Sequence, residues 1–228
     1  MDNYWKEHFN QNALKFPDSP LKQVQATVNG EALDTQQCSL MTGAIVSNLQ
    51  LKTDDRVIDL CCGNGYFTQQ IASRCAFVDG VDFSEVLIQN ARLHYASSNI
   101  TYHVGDVGAL DDSLLQKASK VYMCYALQHL EVDSVERLLS QIARTPGCSR
   151  VFISGIPDLE NIRRFYDTDE KMAFHQQRLA EGRPHIGHWW SWGDLEALAH
   201  RAGLVPKRIT QPQEQFSSHY RFDCVLLK

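Results

Sequence analysis

Three carboxylates in the first half of the chain each lie at or near the end of a short apolar segment. They are Asp59, Asp82 and Asp106. A turn explains a single aspartate in such a place, because Asp readily hydrogen-bonds nearby backbone N–H groups. Three aspartates at three successive segment ends are much harder to explain by turns. Carboxylates accept hydrogen bonds from hydroxyl and amino groups and attract cations, so the pattern predicts a site for a polar ligand.

A turn of small residues, 61–65, follows the first carboxylate and contains Gly63 and Gly65. It separates the apolar run 56–60, which is typical of a buried strand, from a helical pattern that begins near Phe67. Glycines allow a ligand to approach the backbone, and the N-terminus of a helix offers free N–H groups. A strand, a glycine turn and a helix form the nucleotide-proximal corner of doubly wound α/β folds.

Two features of this corner argue against a dinucleotide. The dinucleotide pattern prefers a third glycine, and Thr68 stands in that place. The carboxylate of Asp59 would also repel a pyrophosphate, whereas it suits a cationic ligand. Asp82 lies about twenty residues beyond the loop, where an acid reaches ribose hydroxyls, and Phe83 follows it and can pack on an adenine face.

The run 59–65, Asp-Leu-Cys-Cys-Gly-Asn-Gly, resembles the first motif of class I S-adenosylmethionine-dependent methyltransferases. It is similar in particular to the variant with paired cysteines found in quinone-biosynthesis methyltransferases. Cys61 stands where the family usually has its first glycine, and cysteine is also small. The resemblance implies S-adenosylmethionine as cofactor, bound against Cys61, Gly63 and Gly65.

The same resemblance assigns further cofactor contacts. It implies that Asp106 accepts a hydrogen bond from the adenine amino group, with Val107 beside it. It also places the methionine ammonium near backbone carbonyls around Tyr125. These assignments are implied by the family and not by residue spacing alone.

His129 follows the fourth predicted strand, where the family's segment borders both the methionine moiety and the acceptor. Imidazole titrates near neutral pH, so His129 is a candidate general base toward a hydroxyl or amine. The alternative is a histidine that only packs or caps the next helix. Methyl transfer is an in-line displacement that alignment and desolvation can accelerate, so no base is obligatory.

Residues 157–190 interrupt the regular alternation of strands and helices and are rich in histidine, tryptophan and charge. Their place after the fifth strand predicts a substrate cover, with Tyr166, His188 and Trp189 as candidate acceptor contacts. An exposed charged helix with ordinary core tryptophans is the alternative. His185 and His188 lack a nearby third ligand, so no metal site is expected.

The predicted elements position these residues at one edge of a sheet. The predicted strands cover 56–60, 77–83, 100–106, 120–125, 150–155, 205–209 and 220–227. Their alternation with helical patterns predicts a doubly wound α/β fold with a mainly parallel sheet. A terminal hairpin resembles the last strands of the methyltransferase fold, which implies seven strands with the last antiparallel. One domain, 1–228, is expected, with an N-terminal helical lid over about 1–33 and the insertion at about 157–190.

Composition limits the possible partners. The chain has 228 residues and a net charge of -5, so long-range attraction to nucleic acid or anionic membrane is not expected. No apolar run approaches a membrane span, and the N-terminus lacks a signal pattern. Seven cysteines, an odd number, do not form a disulfide framework, which favours a cytoplasmic location with reduced thiols.

The expected function is therefore methyl transfer from S-adenosylmethionine to a small-molecule acceptor, at oxygen or nitrogen. One alternative is a non-catalytic methyltransferase-like module that binds the nucleoside and serves a partner. The other is an NAD-dependent oxidoreductase, which Thr68 and the terminal hairpin disfavour. The sequence leaves the acceptor and the oligomeric state open.

Overall fold

The structure is a computed structural model that describes residues 3–228. Its strands are β1 (Thr27–Val28), β2 (Glu31–Ala32), β3 (Arg56–Leu60), β4 (Phe77–Asp82), β5 (Ile100–Val104), β6 (Lys120–Cys124), β7 (Arg150–Pro157), β8 (Val205–Thr210) and β9 (Arg221–Leu227). Its helices are α1 (Asn3–Lys15), α2 (Pro20–Gln23), α3 (Thr35–Leu49), α4 (Tyr66–Ala72), α5 (Glu85–His94), α6 (Asp112–Leu115), α7 (Val132–Arg144), α8 (Ile162–Phe165), α9 (Asp169–Ala180) and α10 (Trp192–Arg201). Residues 1 and 2, with which the predicted N-terminal lid begins, lie outside the described residues.

Seven strands form one twisted sheet in the order β5-β4-β3-β6-β7-β9-β8. Every pairing from β5 to β7 is parallel, whereas β9 pairs antiparallel with both β7 and β8. The predicted doubly wound fold, with seven strands and an antiparallel last strand, is therefore confirmed. Strands buried on both faces explain why β3 is an almost continuous apolar run and does not alternate.

The core has a layer on each face of the sheet. Val57 packs with Ile45 of α3 and Ile71 of α4 on one face. Ile58, the next residue along β3, packs with residues of α7 and α10 on the other, including Leu139. Neighbouring side chains of a strand point to opposite faces, so one short strand contributes to both layers.

Three helices begin at a residue whose side chain caps the helix N-terminus. Asp34 accepts from the backbone N–H of Gln37 at 2.8 Å at the start of α3, and Ser84 accepts from that of Leu87 at 3.1 Å at the start of α5. Ser191 accepts from the N–H of Asp194 at 3.1 Å at the start of α10. Such caps satisfy N–H groups that the helix itself leaves without partners, which is why they can be read locally.

Within the predicted helical lid, the segment 21–33 contains only the end of α2 and then the hairpin β1–β2. Asn29 and Gly30 form its turn with φ angles of 50° and 80°. Two left-handed residues in succession are typical of a type I′ hairpin turn, for which Asn-Gly is the preferred pair. The signal was present in the sequence, but the strands are too short to show alternation.

The third strand of the core also differs from its prediction, since β5 ends at Val104 and not at residue 106. Asp106 instead starts a short 3₁₀ turn, where its side chain accepts from the N–H of Gly108 at 2.7 Å. The fifth predicted strand is longer than expected, because β7 continues to Pro157 through an irregularity in its pairing with β9 between Ile153 and Ile156.

No helix within residues 3–228 is both long enough and apolar enough to cross a membrane.

Truncation of a side chain shared by the sheet and its covering helices is expected to destabilise the protein strongly. Phe152 is fully buried in β7. Phe152→Ala should lower the free energy of unfolding by about 3–5 kcal/mol, because a cavity is left in a packed layer. Phe174→Ala, whose side chain is 46% exposed, is the matched control and should cost less than about 1 kcal/mol. Urea denaturation followed by circular dichroism measures both, and equal losses would contradict this placement of the core.

Candidate active site

The candidate site lies where the sheet changes direction. From β3 the chain proceeds to β4 and β5 on one side, and later returns to β6 on the other. Ligands of open α/β sheets bind at such a switch point, outside the carboxyl ends of the strands. A cavity with about 920 Å³ of empty space, counting its part open to solvent, lies there. Its wall includes seven of the predicted site residues: Asp59, Cys61, Gly63, Asp82, Phe83, Tyr125 and His129.

The loop after β3 takes its shape from left-handed backbone. Cys61, Gly63 and Gly65 have φ angles of 59°, 57° and 81°. A Cβ at Gly65 would lie 2.5 Å from the hydroxyl of Tyr102, so a side chain does not fit there. Cysteine is small enough for position 61, but its left-handed backbone costs on the order of 1–2 kcal/mol that a glycine would not incur.

The side chain of Asp82 holds this loop in place. Its two oxygens accept from the backbone N–H groups of Gly63 and Ser84, each at 2.9 Å. Burial raises the pKa of Asp82 to about 6, although both hydrogen bonds favour its charged form. The carboxylate is therefore ionised at neutral pH and retains lone pairs for further donors.

Asp59 lies deeper in the same cavity. Thr68 donates to its Oδ2 at 2.6 Å, so the residue that replaces the third glycine has a role of its own. Burial, together with the nearby charge of Asp82, raises the pKa of Asp59 to about 7. The hydroxyl of Tyr122, which lines the same wall, is buried without a hydrogen-bond partner among the described residues. A cationic ligand would favour the ionised form of Asp59.

Two predicted adenine contacts lie elsewhere. Asp106 is half-buried and uses its side chain to cap the 3₁₀ turn, and Val107 is buried in the core cluster beneath α7. Neither belongs to the cavity wall described above, and neither does Gly65, whose role is to shape the loop.

His129 stands between the cavity and a shallow outer depression that also contains Trp5, Leu179 and His188. The indole of Trp5 lies 4.0 Å from its ring centre, and Phe9 lies 5.4 Å away. Burial, together with the positive charge of Arg221, lowers the pKa of His129 to about 3. The imidazole is neutral at physiological pH, and its Nδ1 is buried without a hydrogen-bond partner among residues 3–228.

The predicted acceptor residues of the insertion are separated by the fold. His188 is exposed and reaches the outer depression, with its backbone N–H donating to the Gln128 carbonyl at 2.8 Å. Tyr166 and Trp189 are instead buried in an aromatic cluster with Tyr220. The structure does not bring either of them to the wall of the cavity or of the outer depression.

Several cavity residues carry no recognisable motif. Val24, Leu33 and Met41 come from the N-terminal part of the chain, and Phe216 from the loop between β8 and β9. They are ordinary apolar residues, and no local pattern distinguishes them from core residues. Phe9 is the exception, because it belongs to the N-terminal segment that the sequence predicts to be a helical lid.

Comparison with known proteins identifies the central part of the chain. Residues 57–145 match the family model described as "Methyltransferase domain". The chain is 26% identical over 157 residues to a ubiquinone biosynthesis O-methyltransferase of Pseudomonas fluorescens, covering 68% of this chain and 66% of the relative. It is 42% identical over 167 residues to a 23S rRNA (uracil(1939)-C(5))-methyltransferase of Klebsiella pneumoniae, covering 71% of this chain but 35% of the relative.

Other curated relatives are matched over a smaller part of their length. The chain spans 15% to 35% of the length of the cobalt-precorrin-6B C(15)- and 23S rRNA methyltransferases that it matches.

Solved structures agree on the fold. The methyltransferase solved in complex with the Trm112 activator of Haloferax volcanii superposes with a TM-score of 0.68 at 18% identity, over 96% of both chains. Magnesium protoporphyrin IX methyltransferase from Synechocystis PCC 6803, solved with bound S-adenosylhomocysteine, gives 0.65 at 15% identity, over 98% of this chain and 97% of that one. The seven-stranded sheet and the glycine loop joined to Asp82 have the fold of class I S-adenosylmethionine-dependent methyltransferases, and residues 57–145 match a methyltransferase domain.

Proposed function

We propose that this protein transfers a methyl group from S-adenosylmethionine to a small-molecule acceptor, at oxygen or nitrogen. One observation carries the proposal: a single cavity at the ends of β3, β4 and β6 is lined by Asp59, Asp82 and His129. Carboxylates for a cationic nucleoside therefore share one space with a neutral imidazole. The family match supports methyl transfer over the oxidoreductase alternative.

The chemistry of the cavity fits the cofactor. Asp82 retains lone pairs for the ribose hydroxyls, and Phe83 beside it offers an adenine a flat apolar surface. Asp59 and the unpartnered hydroxyl of Tyr122 suit the cationic part. Asp106 and Val107 remain assigned to the adenine by resemblance only.

When bound, S-adenosylmethionine supplies an electrophilic methyl group on a sulfonium. The chain's own residues align the acceptor with it and exclude water, which contributes much of the acceleration of such a displacement. A buried imidazole with a low pKa is a weak base. The side-chain amide of Gln128 donates to Nε2 of His129 at 3.2 Å, so the neutral ring carries its proton on Nδ1. His129 is therefore suited to donate a hydrogen bond from its buried Nδ1–H to the oxygen or nitrogen of the acceptor, and so to orient it.

A small-molecule acceptor is supported by the walls of the cavity. Within residues 3–228 they contain no lysine or arginine, which a phosphate backbone would require for tight binding. Because two of the relatives are 23S rRNA methyltransferases, RNA is the alternative acceptor that the experiment must test.

Incubation of the purified protein with methyl-labelled S-adenosylmethionine and either a metabolite extract or total RNA tests the function directly. Label is expected in a small molecule, together with formation of S-adenosylhomocysteine. Label in RNA alone would overturn the choice of acceptor. Tight binding of S-adenosylmethionine without any transfer, with or without a partner protein, would favour the non-catalytic module.

Asp82 is expected to control cofactor affinity. Each charge-assisted hydrogen bond to a ribose hydroxyl contributes about 1.5–3 kcal/mol, so Asp82→Ala should weaken S-adenosylhomocysteine binding by about tenfold or more. Because its pKa is raised to about 6, the wild-type affinity should also fall as pH is lowered from 7.5 to 5, where most Asp82 carries a proton. Calorimetry measures both, with the exposed Asp54→Ala as control. Unchanged affinity in Asp82→Ala would remove Asp82 from the site.

His129 is expected to act on turnover and not on the cofactor. His129→Ala should lower kcat by on the order of 10²–10⁴ if the imidazole takes a proton, and by less, partly in KM, if it only orients the acceptor. S-adenosylhomocysteine affinity should change little in either case. His200→Ala removes an exposed histidine of α10 and serves as control. A variant with full activity would show that His129 only packs.

We further propose that α1 is a lid, because Trp5 and Phe9 cover His129 at the mouth of the cavity. Trp5→Ala should expose the imidazole, so the pKa of His129 should rise from about 3 toward its usual 6.5. NMR titration of the histidine resonances measures this, and the exposed Leu14→Ala on the same helix should leave the pKa unchanged. If bound S-adenosylhomocysteine gives residues 1–16 no protection from proteolysis, the lid proposal is wrong.

A further inference from the structure

The cavity has two chemically different ends. The end at β3 and β4 carries the carboxylates Asp59 and Asp82. The other end, called here the apolar compartment, is formed by side chains without charge. These are Leu33, Met41, Phe67 and Phe216, which pack in one apolar cluster.

We propose that the apolar compartment holds the body of the methyl acceptor, and that this acceptor is an uncharged, largely apolar small molecule with one nucleophilic hydroxyl or amine. Met41 and Phe216 are the residues that determine its specificity. The inference rests on the proposed methyl transfer and adds the class of acceptor to it.

The charged groups around the cavity favour an uncharged acceptor. Its ionisable wall residues include Asp59 and Asp82, which are assigned to the cofactor, and His129, which is neutral at physiological pH. The guanidinium of Arg221 lies 5.2 Å over the ring of Tyr125 and donates to the Gly155 carbonyl, so it is engaged behind the wall. An anionic acceptor would lose its hydration without gaining a cation from the wall, which is costly in a partly buried site.

Contacts with neighbouring elements hold the apolar compartment in a fixed shape. The ring of Phe216 stacks on that of Tyr125, with ring centres 5.6 Å apart and planes at 15°. The backbone N–H of Phe216 donates to Gln37 Oε1 at 2.9 Å, which joins the β8–β9 loop to α3. Tyr125 is itself fixed by hydrogen bonds of its hydroxyl to Ser217 and Gln215, both at 2.7 Å. Preformed apolar walls of this kind select a ligand by shape at a small entropic cost.

The two ends of the cavity are formed by different segments of the chain. Asp59, Gly63 and Asp82 lie within the part of the chain that matches the methyltransferase family, 57–145. Met41 and Phe216 lie outside it, on α3 and on the β8–β9 loop. The cofactor end therefore uses the segment that matches the family model, whereas segments outside that match form most of the apolar compartment.

Matched probes test the charge requirement at pH 7.5. 4-Butylphenol is neutral at this pH and 4-butylbenzoate is anionic, while their apolar parts are the same. Ligand-observed NMR with the full chain, saturated with S-adenosylhomocysteine, measures their affinities. 4-Butylphenol is expected to bind, and 4-butylbenzoate to bind at least about tenfold more weakly. Absence of phenol binding, or equal binding of the two probes, would overturn the proposal.

Two wall variants locate the bound phenol. Phe216→Ala removes an aromatic wall, and Met41→Gln replaces a thioether with a polar side chain of similar length on a different element. Each should weaken 4-butylphenol binding by at least about fivefold and leave S-adenosylhomocysteine affinity within about twofold. Phe174→Ala, on the exposed surface of α9, should change neither.

Two results separate this proposal from the proposed function. If the wall variants weaken S-adenosylhomocysteine as much as the phenol, the compartment belongs to the cofactor and the acceptor assignment is wrong. If the wild-type protein fails to bind S-adenosylhomocysteine at all, the proposed methyl transfer fails, whatever the phenol does.

Discussion

The arrangement of the site depends on the carboxylate of Asp82. It accepts from the N–H of Gly63 in the loop after β3 and from that of Ser84 at the start of α5, and so joins two neighbouring strand ends. Charge-assisted bonds to backbone N–H groups are stronger than neutral ones, which offsets part of the cost of burying the charge. The remaining cost appears as the raised pKa of Asp82, and further donors from a ligand would reduce it.

The glycine loop in turn anchors the N-terminal part of the chain. The side-chain amide of Asn64 donates to the carbonyl of Pro20 at 2.9 Å and to Gln23 Oε1 at 2.8 Å. Asn64 and Gln23 are both buried, so these bonds are shielded from competing water. The loop that shapes the cofactor end therefore also fixes the start of the segment that supplies Val24 and the β1–β2 hairpin, and the two ends of the cavity are mechanically connected.

A second series of hydrogen bonds supports the end of β6. Ser217 donates its one hydroxyl hydrogen to Gln211, at 2.8 Å, so its oxygen must accept from the Tyr125 hydroxyl. Gln211 donates to Asp223 at 2.7 Å, and the same carboxylate oxygen accepts from the N–H of Gly155 at 2.8 Å. These bonds run in one direction toward the buried carboxylate. Tyr125 can therefore keep a left-handed backbone with φ of 53° at the end of the strand.

The sequence by itself determined the parts of this protein that depend on neighbouring residues. The strand 56–60 and its glycine loop followed from apolar continuity and turn chemistry, and the caps at Asp34, Ser84 and Ser191 from backbone N–H groups that need a nearby acceptor. The hairpin turn at Asn29 had the same kind of signal. The approach of Asp82 to the loop could be anticipated because parallel neighbouring strands end at the same edge of a sheet.

Only the tertiary structure decided which distant residues share the cavity. Val24, Met41 and Phe216 are far apart in the chain, and their types differ in no way from those of core residues. Trp189 was expected near the acceptor but packs into a separate aromatic cluster, while Asp106 caps a turn beside its own strand. Local hydrogen bonding and periodicity depend on residues that are close in the chain. Contacts between remote segments depend on how the whole chain buries its apolar surface.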